Sequence, residues 1–407
     1  MVVKQIPVAI RIVCAAALLL SGAASAQKAS AQKASAQKAS DTGASDSTVE
    51  PEPVEEIESP RQSAAERGGN AWWRYLPSVH ASVESGFSGQ FGADAQPTGI
   101  YDQSETGFAF RFLELGLSGQ WIGHLGMLAI VSLNENDIVV EKAWAEVSRL
   151  PWNLNIRAGL LPSRAGFENE RGPTGYRFVD QPLVLGKFFG PLGHHAAGVD
   201  LSFDLPLPWQ VTIYTAMTAA HGKGMRTWYD QTAVSVDEMR DFGYQIGLNN
   251  RFYTGSLAWD LGFVALLGPN DSGRGNQSDI FALSLGLELP ADGPAGVSLD
   301  FETEWFIRSR QYRADNIGDF GGWAQVLMTV DGDWEMGGRY ETTSGATGDP
   351  LDVTDTSFRH KVTAQVGWKP YDFGGVRLAG TVDMGGPLSD RSYGLHLFLR
   401  AGWRVEP

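Results

Sequence analysis

Between Pro162 and His194 the chain carries Arg164, Glu168, Glu170, Arg171, Arg177, Asp180 and Lys187, interleaved with Phe178, Val184, Leu185, Phe188 and Phe189. A loop in open water has no need of so many large apolar groups, whereas a loop laid against a wall does. Connections this long in a compact fold are usually functional. Charges of both signs held close to a charged wall create a local field that can sort passing ions. Candidate wall residues fall on the polar positions of alternating segments: Arg157, Asp200, Asp204, Glu302, Glu304, Arg308, Arg359, Arg377 and Arg400. Any one of them is what a wetted face ordinarily carries, so only the set is informative.

Other chemistries find fewer residues. Seven histidines are scattered through the chain, and only His194 and His195 are adjacent. On a strand, successive side chains point to opposite faces, and a zinc site needs three or four converging ligands. No G-x-S-x-G nucleophile motif occurs in residues 71–407. Glu302 and Glu304 are accounted for as wall charges, without a Ser-His-acid set around them. The single cysteine is Cys14, close to the N-terminus. No catalytic residue, metal site or cofactor is expected. Metal uptake, for zinc in particular, and an outer-membrane hydrolase stand as alternatives.

The segments that must position these charges alternate with period two. Ala197, Val199, Leu201, Phe203 and Leu205 alternate with Gly198, Asp200, Ser202 and Asp204. Tyr393, Leu395, Leu397 and Leu399 alternate with polar or small residues in the same way. A strand with one apolar and one polar face reads like this. About sixteen such segments run from residue 78 to 405, among them 295–309, 319–331 and 356–369. Many are longer than the ~5–6 residues of a soluble strand and suit the ~9–11 residues of a tilted membrane strand. Short connections, such as Leu150-Pro151 and Thr254-Gly255, alternate with long ones, such as 90–106, 162–194 and 220–240. Transmembrane barrels have this asymmetry. Trp121, Trp152, Trp209, Trp334, Trp368 and Trp403 fall near the ends of these segments, as amphipathic rings do at a membrane surface. The predicted fold is therefore all-β: an antiparallel up-and-down transmembrane barrel. Side chains cannot fill a barrel of that size, so its centre holds water or a plug.

Three regions are expected: a signal peptide over 1–26, a disordered periplasmic tether over 27–70, and the barrel over 71–407. Lys4 and Arg11 precede an apolar run, Ile12 to Leu20, and Ala24-Ser25-Ala26 offers a small-residue cleavage site. The tether opens with SAQKA repeats, whose period of five is not helical, and continues polar, acidic and proline-bearing. The whole chain has a formal net charge of -15. Nucleic acid is thereby excluded as a partner, since phosphate binding needs a basic face. Residues 71–407 hold 25 cationic and 39 acidic side chains, and 20 of the cations are Arg. Arg suits fixed, hydrogen-bonded positions.

The hairpin Glu141 to Leu161 (EKAWAEVSRLPWNLNIRAGLL), followed by Pro162, Phe167 and Glu168, resembles the phosphate-selective porin (O and P) family of outer-membrane channels. The resemblance implies a sixteen-stranded barrel, a homotrimer, and passage of small anions. The chain departs from that family in having few lysines and an acidic balance. It also ends Val405-Glu406-Pro407, where a terminal aromatic is usual, although Trp403 stands nearby. The stretch Phe178 to Val184 is similar to outer-membrane proteins linked to zinc, but Tyr176 and Arg177 stand where those carry histidines. The combined expectation is a bacterial outer-membrane porin in contact with lipid. It would pass small hydrophilic solutes or ions through a lumen narrowed by 162–194, with weak selectivity or a modest preference for cations.

Overall fold

The computed structural model describes residues 76–405, except 95, 122, 230–238, 274, 292–295, 313, 314, 346–350, 352–356, 372, 373 and 386–390. The expected signal peptide and tether lie outside the described residues. Sixteen strands run in chain order: β1 (Ser78–Gly92), β2 (Gly107–Trp121), β3 (Leu125–Leu133), β4 (Ile138–Leu150), β5 (Leu154–Pro162), β6 (His195–Asp204), β7 (Gln210–Ala219) and β8 (Phe242–Thr254) form the first half. The second half comprises β9 (Leu257–Pro269), β10 (Gln277–Leu289), β11 (Val297–Tyr312), β12 (Asp315–Val330), β13 (Trp334–Thr343), β14 (Arg359–Tyr371), β15 (Gly374–Gly385) and β16 (Arg391–Val405). Each strand pairs antiparallel with its chain neighbours, and β1 pairs with β16 from Val79↔Val405 to Gly92↔Ser392. The sheet is a closed barrel. Short turns and both strand termini share one end, and the long loops share the other.

The expected strand positions match closely, with four displacements of three residues or more, the first being β1, which runs on to Gly92 rather than stopping at 89. β11 runs on to Tyr312 rather than stopping at 309, and β12 begins at Asp315 rather than 319. Their ladder continues through Arg310↔Ile317 and Gln311↔Asn316 up to Tyr312↔Asp315. Backbone pairing does not require apolar alternation, so the ladder outlasts the pattern used to find it. β14 begins at Arg359 rather than 356.

The distribution of side chains is inverted relative to a water-soluble protein. On β13, Trp334 and Tyr340 are 49% and 44% exposed, while Arg339 and Glu341 are 1% and 0% exposed. On β16, Tyr393, Leu395, Leu397 and Leu399 are exposed and His396 is buried. Apolar residues cover the outside and charged residues are packed within. Trp152, Trp209, Trp334, Trp368 and Trp403 are exposed at the short-turn end. No described helix is long and apolar enough to cross a membrane.

The connection from β5 to β6 holds two short helices, α1 (Phe167–Arg171) and α2 (Leu183–Phe189), with a 3-10 turn at Pro173–Gly175 between them. Every residue of α2 is buried. Val184, Leu185, Phe188 and Phe189 pack against Tyr214, Val264, Leu266, Ile280, Phe306 and Trp323. The patch of interior that faces α2, on β7 and β9 to β12, is therefore packed with apolar side chains. The sequence reading expected the loop against the inner wall but gave no position for this apolar bed. The inward positions of β9 and β10 are apolar where they meet α2, because a helix with an apolar surface needs an apolar bed.

Burial of one such side chain is worth about 1.5–3 kcal/mol. Replacing Phe188 or Phe189 by Ala should destabilise the seat of the helix by about 3–5 kcal/mol. The expected outcome is faster trypsin cleavage at Lys187 in the folded barrel, read by mass spectrometry, with the strand content unchanged by circular dichroism.

Candidate functional site

One segment, residues 163–194, reaches side chains on strands all around the closed sheet. Arg111 of β2 donates to the Val179 carbonyl at 2.5 Å. Lys142 of β4 donates to the carbonyls of Glu170 and Arg171 at 2.6 and 2.7 Å. Gln365 of β14 donates to the Arg177 carbonyl at 2.8 Å, and Arg400 of β16 donates to the Thr174 carbonyl at 3.2 Å. Further bonds reach β6, β7, β11, β12 and β13. A single segment can touch so many strands of a closed barrel only from inside it.

Three clusters of charge fasten it. In the first, Asp180 pairs with Arg339 and Lys361. Arg339 also donates to Glu341 at 2.8 Å, and Glu341 accepts the Leu183 amide at 2.6 Å. Burial alone would raise the Asp180 carboxyl, but the adjoining Lys361 and Arg339 outweigh it and hold it at about 2. In the second, Arg171 bridges Glu168, at 2.9 Å, and Glu302. Gln325 donates to both carboxylates at 2.9 and 2.8 Å. Arg177 adds Asp300 at 2.8 Å and Glu302 at 3.5 Å. In the third, Asp200 receives Arg164 at 2.8 Å and Arg157 at 3.2 Å.

Glu304 accepts the Phe167 amide at the start of α1 and the Trp323 indole N–H at 3.1 Å. The residue before α1 is Gly166, with φ +91°, and a Cβ there would come within 2.3 Å of Glu304. Both the positive φ and the close approach require glycine. Arg308 forms two hydrogen bonds of 2.8 Å to Asp319 and lies 4.7 Å from the Phe188 ring centre.

Not every expected wall residue meets the loop. Asp204 accepts Thr212 at 2.5 Å and Asn155 at 3.4 Å, close to the short-turn end. Arg359 pairs with Asp383 and donates to the Gln96 carbonyl at 2.8 Å, at the opposite end. Arg377 lines one cavity with Glu84 and Arg400, and among the described residues no carboxylate forms an ion pair with it. The Glu170 backbone is held, but no hydrogen bond of its carboxylate is among those described. Sequence reading missed Arg111, Lys142, Arg339, Glu341 and Lys361. All five sit on the polar face of strands already recognised as strands. The cue was strand parity, which applied to β2, β4, β13 and β14 as well as to the strands nearest the loop.

Among the described residues, three of the spaces in the interior bear on the loop or the charged wall. One of about 410 Å³ lies beside α1, against β7 to β11. One of about 640 Å³ lies at the short-turn end of β1, β2 and β13 to β16. A small one of about 40 Å³ lies beside Asp180 and Lys361 toward the long loops. Phe398 borders both of the latter two. His194 is enclosed by Phe189 and Trp228, each 5.2 Å away between ring centres. Burial pushes its imidazole down to about 3, which keeps it neutral. Among the described residues, no group of three or more His, Cys, Asp or Glu is arranged to hold a metal ion.

The fold is that of bacterial outer-membrane porins. The anion-selective porin of Comamonas acidovorans superposes with a TM-score of 0.54 at 13% identity, over 80% of this chain and 100% of that one. OprB of Pseudomonas putida gives 0.53 at 8% identity, over 81% and 93%. The outer-membrane channel DcaP of Acinetobacter baumannii gives 0.50 at 10% identity, over 81% and 96%. No family model matches the chain. In sequence, the chain is 27% identical over 164 residues to an uncharacterised protein of Aquifex aeolicus. The match takes in 40% of this chain and about a third, 34%, of that relative's length.

The Asp180 cluster makes a prediction about acid. A carboxyl depressed from its ordinary value of about 3.9 stabilises the folded state above that value, and the contribution is lost as pH falls through about 2. The loop should therefore stay fastened at pH 4. Replacing Asp180 by Asn leaves Arg339 and Lys361 short of a counter-charge, at a cost of about 3–5 kcal/mol. Hydrogen exchange of residues 178–186 should then rise at pH 7, whereas the native chain should show no such rise between pH 7 and 4.

Proposed function

We propose that the chain is a bacterial outer-membrane porin through which small hydrophilic solutes and ions diffuse passively, with residues 162–194 narrowing the passage. The observation that carries this reading is the interior loop bonded to strands around an apolar-outside, charged-inside closed barrel. Such a wall suits lipid on one side and water on the other. Arg164, Glu168, Glu170, Arg171, Arg177 and Asp180 are the constriction charges in this reading. Residues 1–26 export the chain, 27–70 are its periplasmic tether, and 71–407 are the barrel. The channel is not an enzyme and needs no cofactor.

The hairpin at Glu141 to Leu161 supports a place near the phosphate-selective porins, and with it a homotrimer. The scarcity of lysine does not favour phosphate as the solute. The net charge favours weak selectivity with a modest preference for cations. Against that background, Arg111, Arg377 and Arg400 beside Glu84 form a local cationic stretch of wall.

Purified protein in a planar bilayer should give stepwise conductance. Under a salt gradient its reversal potential should lie slightly to the cation side. Arg377→Gln should move it further toward the potassium equilibrium value. A protein that inserts but conducts nothing would end the porin reading, and a strongly anion-selective reversal potential would end the charge assignment. Chemical cross-linking in mild detergent should give a band of three chains.

A further inference from the structure

The cavity of about 410 Å³ beside α1 differs from the rest of the interior in what it offers a solute. Apart from Glu170, its charged side chains are already engaged with one another. Arg171 and Arg177 are held by Glu302 and Asp300. Arg251 is held by Glu288 at 2.6 Å and Asp260 at 3.5 Å. Arg164 is held by Asp200 at 2.8 Å. An anion entering this space would have to break such a pair or remain without a counter-charge of its own.

The uncharged groups there are not engaged. Gln210 of β7, Asn249 of β8 and Ser284 of β10 line the cavity. Their side chains make no hydrogen bond with the described residues. Two amides and a hydroxyl offer donors and acceptors together. Glycines keep the wall open beside them. A Cβ on Gly262 would come within 2.3 Å of the Ser284 hydroxyl and 3.1 Å of the Asn249 carbonyl oxygen. The ring of Phe167, from α1, borders the same space and would lie 3.1 Å from a Cβ on Gly286. The cavity thus combines an apolar ring face with uncharged hydrogen-bonding groups on three strands. Pockets for small molecules have this make-up and fall in this size range.

We propose that this cavity is a subsite for a neutral polyhydroxylated solute, a sugar-like ring, during its passage through the barrel. The ring's C–H face would lie on Phe167, and its hydroxyls would exchange hydrogen bonds with Gln210, Asn249 and Ser284. Weak binding is what transport requires, because a solute must leave as readily as it enters. The inference rests on the porin reading and names a solute class for it.

The test uses the full-length protein in liposomes and in planar bilayers. Swelling rates are measured with glucose and with glutamine, a zwitterion of similar size, alongside potassium chloride conductance. Glucose flux should saturate with concentration and exceed glutamine flux. Asn249→Leu and, separately, Phe167→Ala should lower the ratio of glucose flux to conductance by about fivefold, the scale of one neutral hydrogen bond. The first variant lies on a strand and the second on the loop, so a disturbed loop would not explain both. A glucose flux that stays linear and equals that of glutamine in a conducting protein overturns the subsite and leaves the porin standing. A protein without conductance overturns both.

Discussion

Closure of the sheet between β1 and β16 is the constraint on which the rest depends. Paired from Val79↔Val405 to Gly92↔Ser392, these strands leave no unpaired edge. Every strand then has two partners, and the backbone is satisfied within the wall. With that condition met, side chains are released from hiding backbone groups. The outer face can be apolar throughout and the inner face polar, the reverse of a soluble domain. A ring of sixteen strands also encloses more space than its own side chains can fill. Something else must shape that space, and the β5–β6 connection is placed to do so.

Two kinds of force hold that connection, and each dominates a different part of it. Around α2 the contacts are mainly apolar, with Phe188 and Phe189 fully buried against β11 and β12, although Lys187 of the same helix pairs with Asp319 at 3.6 Å. Around α1 and Asp180 the contacts are ionic, to Glu302, Arg339 and Lys361. Burial of apolar surface supplies affinity without direction, while hydrogen-bonded ion pairs fix orientation. Buried pairs add little net stability on their own, because desolvation offsets their attraction. The apolar side therefore anchors the segment, and the charged side sets its register against the wall. The remaining spaces fall where neither kind of contact closes the gap.

The strands were legible from alternation because each has one face in each environment. Period-two reading placed β2 and β15 at their observed bounds, and its largest miss came where a hairpin continued without apolar alternation, at Gln311 and Asn316. The same reading gave the loop's charged residues and many of their partners, including Asp200 and Glu302. It did not give which wall residue meets which loop residue. Asp180 meets Arg339 and Lys361 on strands far along the chain, and nothing local in MGGRYET or RHKVTAQV marks that meeting. Nor did it show where on the inner face the apolar bed lies. Val264, Leu266 and Ile280 read as ordinary strand residues until α2 is seen to lie on them.

Net charge is a poor guide to the field a solute meets in such an interior. Residues 71–407 carry 39 acidic and 25 cationic side chains, yet many of the interior carboxylates are committed to arginines. Glu302 faces Arg171 and Arg177, Asp200 faces Arg157 and Arg164, and Asp319 faces Arg308. A committed pair acts at a distance as a dipole, and its field falls off faster than that of a lone charge. The field inside the barrel is then decided largely by the groups left out of such pairs. On one side of the loop these include Arg377, and on the other they include Glu170 and the amides and hydroxyl of Gln210, Asn249 and Ser284. One interior thereby presents different chemical surroundings on the two sides of the segment lodged within it.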